Sequence, residues 1–584
     1  MNSIPVGRRW ALYPTPGCCL LITENRFVMR LVWLSINASY SHSSLALPLL
    51  HQASRTQSNW VWHKLESSLG DSPEELAVQL AELEADLVCC SLYLFNCEFV
   101  FSVLQRFKVL QPDCMVIAGG PECLGSGAVS VLEKCWAIDL AASGEGEALM
   151  PEILQALSKG ILPHGLSGTA WREPHSGQII AKELTPPLQY DNWPKDNPPC
   201  QSKFFALDKP FVQMETTRGC PHGCIYCSSN RTEMRYKSLE QVAGELELLS
   251  KKGVTEIRLL DRTFNLPEKR AKLLLQMFRL KFPELKFHIE IHPQYLGEEL
   301  RQELLLANPG QLHLETGIQS LQDEVLQALG REASADKSLQ GLAFLCQCSA
   351  FDTHADLLAG LPGQGYENIL DDLKRLIAIG PAELQMEILK VLPGTPLQKQ
   401  ATALGIRYNP APPYEVLQTR LLSPRMLRQA GKLSRLVDLF YNQQKLQAPF
   451  RLACAEHAGF INDFMHFLSN DGFSAHWAGS LSKRFIYLAK FCHNASDHLK
   501  DCIALHWLKA GLTLNETPYY QPEALSEIPP DCLLLEGDWS VLGLKSTRLY
   551  LLHGAQQSHV LAFNRAVAMQ QPCAIWQYQA NRTP

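Results

Sequence analysis

The sequence has no apolar run that approaches the roughly 18 residues needed for a membrane-spanning helix. It also has no basic excess, since 53 Lys and Arg face 59 Asp and Glu, and nucleic acid is therefore not expected as a partner. The 19 cysteines are odd in number and scattered, unlike the compact even sets of secreted disulfide scaffolds. These absences favour a protein of the reducing cytoplasm with no membrane segment.

The chain of 584 residues is too long for a single core, and we expect several domains. Residues 1–28 are predicted to be a disordered extension upstream of a start at Met29. A signal peptide is the alternative for this stretch, although Pro14, Pro16 and Gly17 interrupt its apolar patch.

Between residues 30 and 160, five short β-rich runs alternate with helical patterns, which predicts a doubly wound parallel sheet. No G-x-G-x-x-G follows the first run, which argues against a dinucleotide. Small and amide-bearing residues do follow the runs, where such a sheet binds ligands. Taken singly, these glycines could serve turns and the histidine could start a helix. The candidates are Asn37, Ser41, His42, Ser91, Tyr93, Asn96, Gly119, Gly120, Glu122, Gly144 and Glu145.

Residues 161–205 break this rhythm with a predicted hairpin and a proline-rich linker. A second series of six β/α units, in residues 206–400, suits a partial (β/α)6 barrel better than a closed eight-unit barrel. Residues 401–584 are mainly helical with a few short strands, an α+β pattern whose role the sequence does not reveal.

Four successive strands of the second series carry polar residues at period two, which places each set on one face of its strand. Unpaired buried charges cost several kcal/mol, so these groups must meet water, one another or a ligand. We therefore predict a wet, polar barrel interior, with outward-facing ion pairs as the alternative for any single residue. The set is His288, Glu290, His292, His313, Glu315, His354, Asp356, Glu383, Gln385 and Glu387.

Cys220, Cys224 and Cys227 form a C-x3-C-x2-C triplet directly after the first strand of the second series. Zinc sites normally close with four ligands, and no C-x2-C or H-x3-H pair lies nearby in sequence. A four-iron cluster held by three thiolates leaves one iron open to a substrate or cofactor. Chance crowding, or a zinc site completed by a distant residue, are the alternatives.

The segment "RGCPHGCIYCS" resembles the cluster loop of the radical S-adenosylmethionine (SAM) enzymes. The resemblance implies a 4Fe-4S cluster on the three cysteines, with SAM chelating the free iron and Tyr226 near the adenine. "LETGIQS" and "ADLLAGLPGQ" are similar to two further motifs of the family, which implies that Glu315, Gln319, Ser320 and Asp356 contact the cofactor. The chain departs from the family at "LLDRTFN", which replaces Gly-Gly-Glu. Asp261 or Arg262 is the candidate for contact with the amino group, and a structural role is the alternative for Arg262.

The first domain is similar to the cobalamin (B12)-binding domain that precedes the barrel in cobalamin-dependent radical SAM enzymes. Residues after 400 resemble the uncharacterised C-terminal domain of one branch of that family. The D-x-H-x-x-G motif that supplies histidine to cobalt in some B12 domains is absent. The resemblance therefore implies that cobalamin binds without a histidine ligand from this segment. The lower face of the cobalamin would then lie near residues 93–96.

The leading hypothesis is a radical methyltransferase that uses SAM and cobalamin to methylate an unactivated carbon of an unknown substrate. A reducing partner such as flavodoxin or ferredoxin would supply electrons. Radical rearrangement or cyclisation, methylthio transfer to tRNA, and a non-enzymatic iron–sulfur or corrinoid carrier are the alternatives. The lack of a second cysteine triplet weakens methylthio transfer, and the polar strand faces weaken the carrier.

Overall fold

The computed structural model describes residues 28–39, 41–173, 176–182, 198–474, 476–537, 547–564 and 572–578. The predicted disordered extension lies outside the described residues except for Val28, as does most of the proline-rich linker. All 17 cysteines in the described part are free thiols. Within the same residues, no helix is both long and apolar enough to cross a bilayer.

The first unit is a seven-stranded sheet in the order β2-β1-β3-β4-β5-β6-β7. β1 to β5 are parallel, and β6 and β7 form the predicted hairpin, which extends the sheet in antiparallel fashion. Its strands are Met29–Asn37, Trp60–Ser68, Leu87–Ser91, Met115–Gly119, Leu140–Ala142, Thr169–Arg172 and Ile179–Ala181. Its helices α1–α5 are Ala46–Ala53, Pro73–Glu82, Cys97–Leu110, Gly127–Lys134 and Gly146–Ser158.

Both faces of this sheet are covered, as expected for near-continuous apolar strands. Val32 and Leu34 of β1 belong to a core with Leu80 of α2, whereas Leu31 and Trp33 pack in a second core with Leu154 of α5. The doubly wound α/β arrangement follows from this alternation, since successive residues of a strand point to opposite faces.

The second unit is a parallel six-stranded sheet of β8 and β11–β15 in sequential order. A short antiparallel pair, β9 with β10, follows β8. The strands β8–β15 are Val212–Met214, Thr217–Cys220, Thr232–Tyr236, Glu256–Leu259, Lys286–Glu290, Leu312–Gln319, Asp352–Ala359 and Glu383–Ile388. The helices α6–α11 are Leu239–Lys251, Glu268–Lys281, Glu298–Leu305, Asp323–Ala328, Ala335–Gln347 and Tyr366–Ile379.

The two faces of the second sheet differ in chemistry. Ile257, Phe287 and Leu314 lie in an apolar core with helix residues such as Leu246 and Phe278. The opposite face, here called the polar face, carries the alternate residues of the same strands. On it the His288 and His313 rings stack with centroids 4.6 Å apart. The predicted period-two clustering of polar side chains is therefore present in the fold.

The C-terminal region is mainly helical and covers the edge strand β15. Asn442 closes that edge, because its side chain accepts a hydrogen bond from Leu384 N at 2.9 Å and donates one to Leu384 O at 2.7 Å. Its helices α12–α17 are Pro396–Gln400, Pro424–Leu436, Gln444–Glu456, Phe460–Ser469, Leu481–Phe491 and Asp497–Lys509. The strands β16–β22 are Arg407–Tyr408, Val416–Gln418, Glu523–Leu525, Cys532–Gly537, Thr547–Leu552, Ser558–Asn564 and Ala574–Tyr578.

Asp501 joins α17 to the final antiparallel sheet. Its carboxylate accepts hydrogen bonds from the amides of Ala555, Gln556 and Gln557 at 2.9, 2.8 and 2.9 Å. Burial by itself would raise the pKa of Asp501, but hydrogen bonds from Tyr520 and these amides outweigh it and lower the pKa. The ionised carboxylate is therefore the form that stabilises this junction.

We expect Asp501→Ala to lower the unfolding free energy of the C-terminal region by about 2–4 kcal/mol at pH 7, because three amides lose their acceptor. Because folding lowers the pKa of Asp501, the extra stability of the wild type over Asp501→Ala is fully present above the unfolded pKa of about 3.9. That extra stability is lost as the pH falls through the pKa of Asp501 in the folded protein. Thermal unfolding followed by circular dichroism at pH 7 and pH 3.5 measures both effects. Asp497→Ala, an exposed acid on the same helix, is the control. An Asp501→Ala protein as stable as wild type at pH 7 would contradict the assignment.

Candidate active site

Cys220 ends β9, and Cys224 and Cys227 lie in the loop that joins β9 to β10, here called the cluster loop. Gly219 has φ +102°, and a Cβ there would collide with the backbone of Glu233 on β10. Cys220 pairs with Thr232 and donates its amide to Thr232 Oγ1 at 2.9 Å. This pairing holds both ends of the loop, so that the short spacing brings the thiols to one place.

Polar groups surround the three sulfur atoms. The amide of Ser229 donates to Cys227 Sγ at 3.4 Å, Arg331 Nη1 donates to Cys224 Sγ at 3.7 Å, and Thr263 Oγ1 lies 3.6 Å from Cys220 Sγ. Burial raises the pKa of Cys227, and the neighbouring Cys224 and Cys220 thiols raise it further. Thiols this close repel one another once ionised, which suits a site completed by a metal cluster between them.

Arg331 organises the site around the cluster loop, and sequence reasoning missed it. Besides Cys224, its guanidinium donates to the carbonyl of Gly317 and lies 3.1 Å from His292 Nε2. Burial, with help from Arg331 and His222, lowers the pKa of His292 to about 2, so its neutral imidazole accepts this hydrogen bond. No spacing rule links Arg331, in the loop before α10, to cysteines more than 100 positions earlier.

The polar face carries two close histidine–carboxylate pairs. His288 Nε2 lies 2.8 Å from Glu315 Oε2, and His354 Nε2 lies 3.0 Å from Asp356 Oδ1. The hydrogen bond from His288 lowers the pKa of Glu315, whereas burial raises the pKa of Asp356. The face therefore offers both hydrogen-bond donors and acceptors to a ligand.

Arg262 joins the cluster loop to the polar face. Its Nη1 lies 3.3 Å from Glu290 Oε1, and burial raises the pKa of Glu290 to about 7. Glu290 is the main cause of a raised pKa at Arg262, and Cys227 and Cys220 add to it. One guanidinium thus lies within electrostatic reach of two cluster thiols and of the polar face.

Of the residues that the family motifs suggested for SAM, Glu315 and Asp356 lie on the polar face described above. Tyr226 is close enough to Arg331 and Cys224 for both to influence its pKa, which burial raises. Gln319 adopts φ +68° next to a β-bulge in β13. Tyr226 thus belongs to the cluster loop, whereas Glu315 and Asp356 belong to the polar face.

Two of the predicted SAM contacts have buried protein partners. Asp261 is fully buried, and its oxygens accept from the amides of Thr216 and Thr217 at 2.7 and 3.0 Å and from the Thr216 hydroxyl. Ser320 is also buried, and its hydroxyl donates to Asp372 Oδ2 at 2.7 Å. Both side chains therefore hold the sheet and loops together.

A cavity of about 750 Å³ opens at the carboxyl ends of the first sheet and extends to β8 and β11 of the second. Its wall includes Arg218 and Arg262, beside the cluster loop. Nine of the predicted first-domain ligand residues line it: Asn37, His42, Ser91, Tyr93, Asn96, Gly119, Gly120, Gly144 and Glu145.

Several of the first-domain candidates have structural contacts of their own. The Asn96 side chain accepts from Tyr93 N at 2.8 Å and donates to the carbonyls of Ile36 and Ser91. Glu122 and Ser41 are not part of the cavity wall; Glu122 accepts a hydrogen bond from the Tyr414 hydroxyl and Ser41 lies 3.0 Å from the Ser39 hydroxyl. Asn96 therefore shapes the cavity wall through the backbone turn that it holds.

Ion pairs clamp the first unit to the cluster hairpin across the cavity. Glu145, just before α5, pairs with Arg235 of β10 and lies 3.1 Å from Arg218 of β9. Arg218 also lies 3.0 Å from Glu147 and 2.6 Å from Glu215. Burial opposes ionisation of Glu145, but the two arginines outweigh it and lower its pKa. The predicted ligand residue Glu145 is thus also an interdomain anchor.

Comparison with known proteins places this geometry in a family. Residues 214–376 match the model of the Radical SAM superfamily, which is the segment from β8 to α11. Residues 402–528 match a second model, "Protein of unknown function (DUF4080)". Residues 214–376 therefore form a radical SAM domain, as the resemblance of the cysteine loop predicted. A DUF4080 domain follows it in the chain.

Three similar proteins carry further information. The chain is 27% identical over 319 residues to "Uncharacterized methyltransferase PH0819" of Pyrococcus horikoshii, which covers 52% of this chain and 66% of that protein. It is 23% identical over 336 residues to "Cobalamin-dependent radical SAM methyltransferase TokK" of Streptomyces tokunonensis, with 54% and 48% covered. The chain thus spans less than two thirds of either curated relative.

The third is a solved structure, the cobalamin-dependent SAM radical enzyme OxsB with aqua-cobalamin and SAM bound. It superposes with a TM-score of 0.58 over 82% of this chain and 79% of that one, at 13% identity. This likeness supports the mixed α/β fold with parallel sheets. Radical SAM domains use a 4Fe-4S cluster and SAM, so these two predicted cofactors are confirmed, and the reaction needs a reductant and a substrate.

Proposed function

We propose that the chain is a cobalamin-dependent radical SAM methyltransferase that methylates an unactivated carbon of a substrate bound against the polar face. The observation that carries this proposal is the position of Arg262. It lines the cavity of the first sheet and lies 3.3 Å from Glu290 of the polar face, and its neighbour Thr263 lies 3.6 Å from Cys220 Sγ. The cavity, the cluster loop and the polar face therefore adjoin at Arg262.

In this proposal Cys220, Cys224 and Cys227 hold the cluster, and Glu315, Gln319, Asp356 and Tyr226 contact SAM. When bound, cluster and SAM supply a hydrogen-abstracting radical, and cobalamin carries the methyl group to be transferred. The chain's own task is to hold these groups in line and to keep water away. The Arg218–Glu145 and Arg235–Glu145 contacts do this by fixing the first unit against the cluster hairpin.

The cavity wall fits a corrinoid in its chemistry. Gly119 and Gly144 line the cavity with backbone and no side chain, so a large flat ligand can approach the sheet edge. Gly120 has φ +94°, and a Cβ there would fall 2.6 Å from Ser91 Oγ, so this glycine is required by the turn itself. The cobalamin named for OxsB and TokK supports this reading. We assign residues 30–160 to cobalamin binding and residues 206–400 to the radical reaction. A flavodoxin or ferredoxin is the proposed electron donor.

A bound corrinoid is proposed to receive no histidine from this segment, because the D-x-H-x-x-G motif is absent. His42 is the only histidine among the cavity-lining residues of the described chain, and replacing it should therefore leave corrinoid binding unchanged. Tyr93 and Phe95, whose rings stack at 5.4 Å, lie at the predicted lower face.

The test is to purify the full chain without oxygen from cobalamin-fed cells and to compare wild type with Gly119→Leu. Gly119 has room for a Cβ, since its nearest neighbour would lie at 3.7 Å, and a longer side chain would enter the cavity. We expect about one corrinoid per chain in wild type and at least a tenfold loss in the variant, because the ligand's space is filled. Gly244→Leu, on an exposed helix face with open space around it, should bind normally.

Reduced enzyme given SAM with a deuterated methyl group should form 5′-deoxyadenosine, S-adenosylhomocysteine and labelled methylcobalamin. Wild-type protein without corrinoid would overturn the cobalamin assignment. Bound corrinoid without any S-adenosylhomocysteine would favour the rearrangement or cyclisation hypothesis instead.

A further inference from the structure

Three potential metal ligands meet on the polar face away from the cluster loop. His313, His354 and Glu383 each offer one ligand atom, and these atoms lie within 4.8 Å of one another. They come from three neighbouring strands, β13, β14 and β15. Each stands at or near the amino end of its strand, whereas the cysteine loop follows the carboxyl end of β8. The group is therefore separate from the iron–sulfur site.

The strand register holds this group in place. His354 is the direct partner of Glu383 across β14 and β15. The His313 ring meets the His354 ring edge-on with centroids 6.2 Å apart and stacks on His288 at 4.6 Å. Because parallel strands fix which residues are neighbours, the three side chains are preorganised by the sheet instead of by a flexible loop.

We propose that His313, His354 and Glu383 bind one divalent first-row transition metal, with Zn²⁺ as the probe ion. Two imidazoles and a carboxylate are a common ligand set for such ions. Ligand atoms around Zn²⁺ lie about 3.3 Å apart when each is about 2.0–2.2 Å from the metal. Closing 4.8 Å to that separation requires only side-chain rotation.

The surroundings supply a second argument for a cation. Within the described residues, His354 Nε2 and Asp356 Oδ1 are buried without a hydrogen bond of good geometry, although they lie 3.0 Å apart. A carboxylate that faces one ring nitrogen of a histidine orients the ring and leaves the other nitrogen for a metal. His288 makes the same kind of contact with Glu315 at 2.8 Å. Several carboxylates beside these imidazoles favour a bound positive charge.

The bound metal would help to anchor the substrate on the polar face. Three protein ligands leave at least one of four coordination positions for water or for an oxygen of a ligand. A substrate with a carboxylate or carbonyl oxygen would thus be anchored on the polar face, away from the cysteines. This inference goes beyond the proposed methyl transfer, and its test does not depend on turnover.

The test measures zinc in the full chain after anaerobic reconstitution of the cluster, so that the cysteines are already occupied. Protein incubated with Zn²⁺ and desalted should retain about one zinc per chain by mass spectrometry, as expected for a single site with three protein ligands. His313→Gln and His354→Gln should lose it, and Glu383→Gln should weaken binding by at least about tenfold. Gln385→Ala, two positions along β15 on the same face, is the matched control and should retain zinc.

Zinc K-edge absorption should show only nitrogen and oxygen neighbours. Zinc bound through sulfur, zinc retained equally by all variants, or no retained zinc in wild type would each overturn the proposal. Circular dichroism and iron content check folding, and Glu383→Gln decides the result if a histidine variant is unstable, because Glu383 is an exposed side chain.

Discussion

Alanine at any one of Cys220, Cys224 or Cys227 should abolish reductive cleavage of SAM, which is the largest effect expected in this chain. Three thiolates are the minimum set for a four-iron cluster with one open iron, and two of these sulfurs also accept hydrogen bonds from Ser229 and Arg331. Iron should fall from about four per chain to less than one after reconstitution. Formation of 5′-deoxyadenosine should drop to the level of a reaction without enzyme.

The matched control is Cys348→Ala, because Cys348 is a partly exposed thiol at the end of α10 whose sulfur contacts only the carbonyl of Phe344 among its described hydrogen bonds. It should keep its iron and its activity. Iron content unchanged in the Cys220, Cys224 and Cys227 variants would show that the cluster lies elsewhere and would contradict the site.

Removal of the Asp261 carboxylate should damage the fold instead of weakening SAM binding selectively. In Asp261→Ala, the amides of Thr216 and Thr217 and the Thr216 hydroxyl lose their buried acceptor. At about 1–3 kcal/mol for each unsatisfied group, with partial relaxation, we expect a loss of about 3–5 kcal/mol in unfolding free energy. Chemical denaturation and the melting temperature of the cofactor-free chain measure it.

Two variants separate the structural role from a binding role. Asp261→Asn keeps one acceptor oxygen and should lose less stability than alanine. Asp208→Ala removes an exposed carboxylate and should leave stability unchanged. A stable Asp261→Ala protein with a raised SAM dissociation constant would restore the motif-based assignment.

Features that depend on residues close together in the chain could be predicted from the sequence. The spacing of Cys220, Cys224 and Cys227 limits how far apart the thiols can lie, and strand alternation alone placed His288, Glu315 and Asp356 on one face. The order of β-rich runs likewise anticipated both parallel sheets and the hairpin of β6 and β7. These features depend on contacts within a few positions or on a repeated period.

Side chains whose partners are remote in sequence could not be assigned in this way. Asp261 and Ser320 occupy motif positions, yet their partners are buried groups 45 and 52 positions away, and only packing decides whether a carboxylate or hydroxyl faces a ligand or the core.

The sequence by itself therefore determined the chemical class, through a local loop and a repeated strand pattern. The tertiary structure alone decided that Arg331 reaches Cys224, that Arg262 joins the cavity to the polar face, and that His313, His354 and Glu383 converge. The physical reason is that hydrogen bonds and charge pairs depend on distances of a few ångströms, which for residues far apart in the chain are set by the packing of whole sheets and helices.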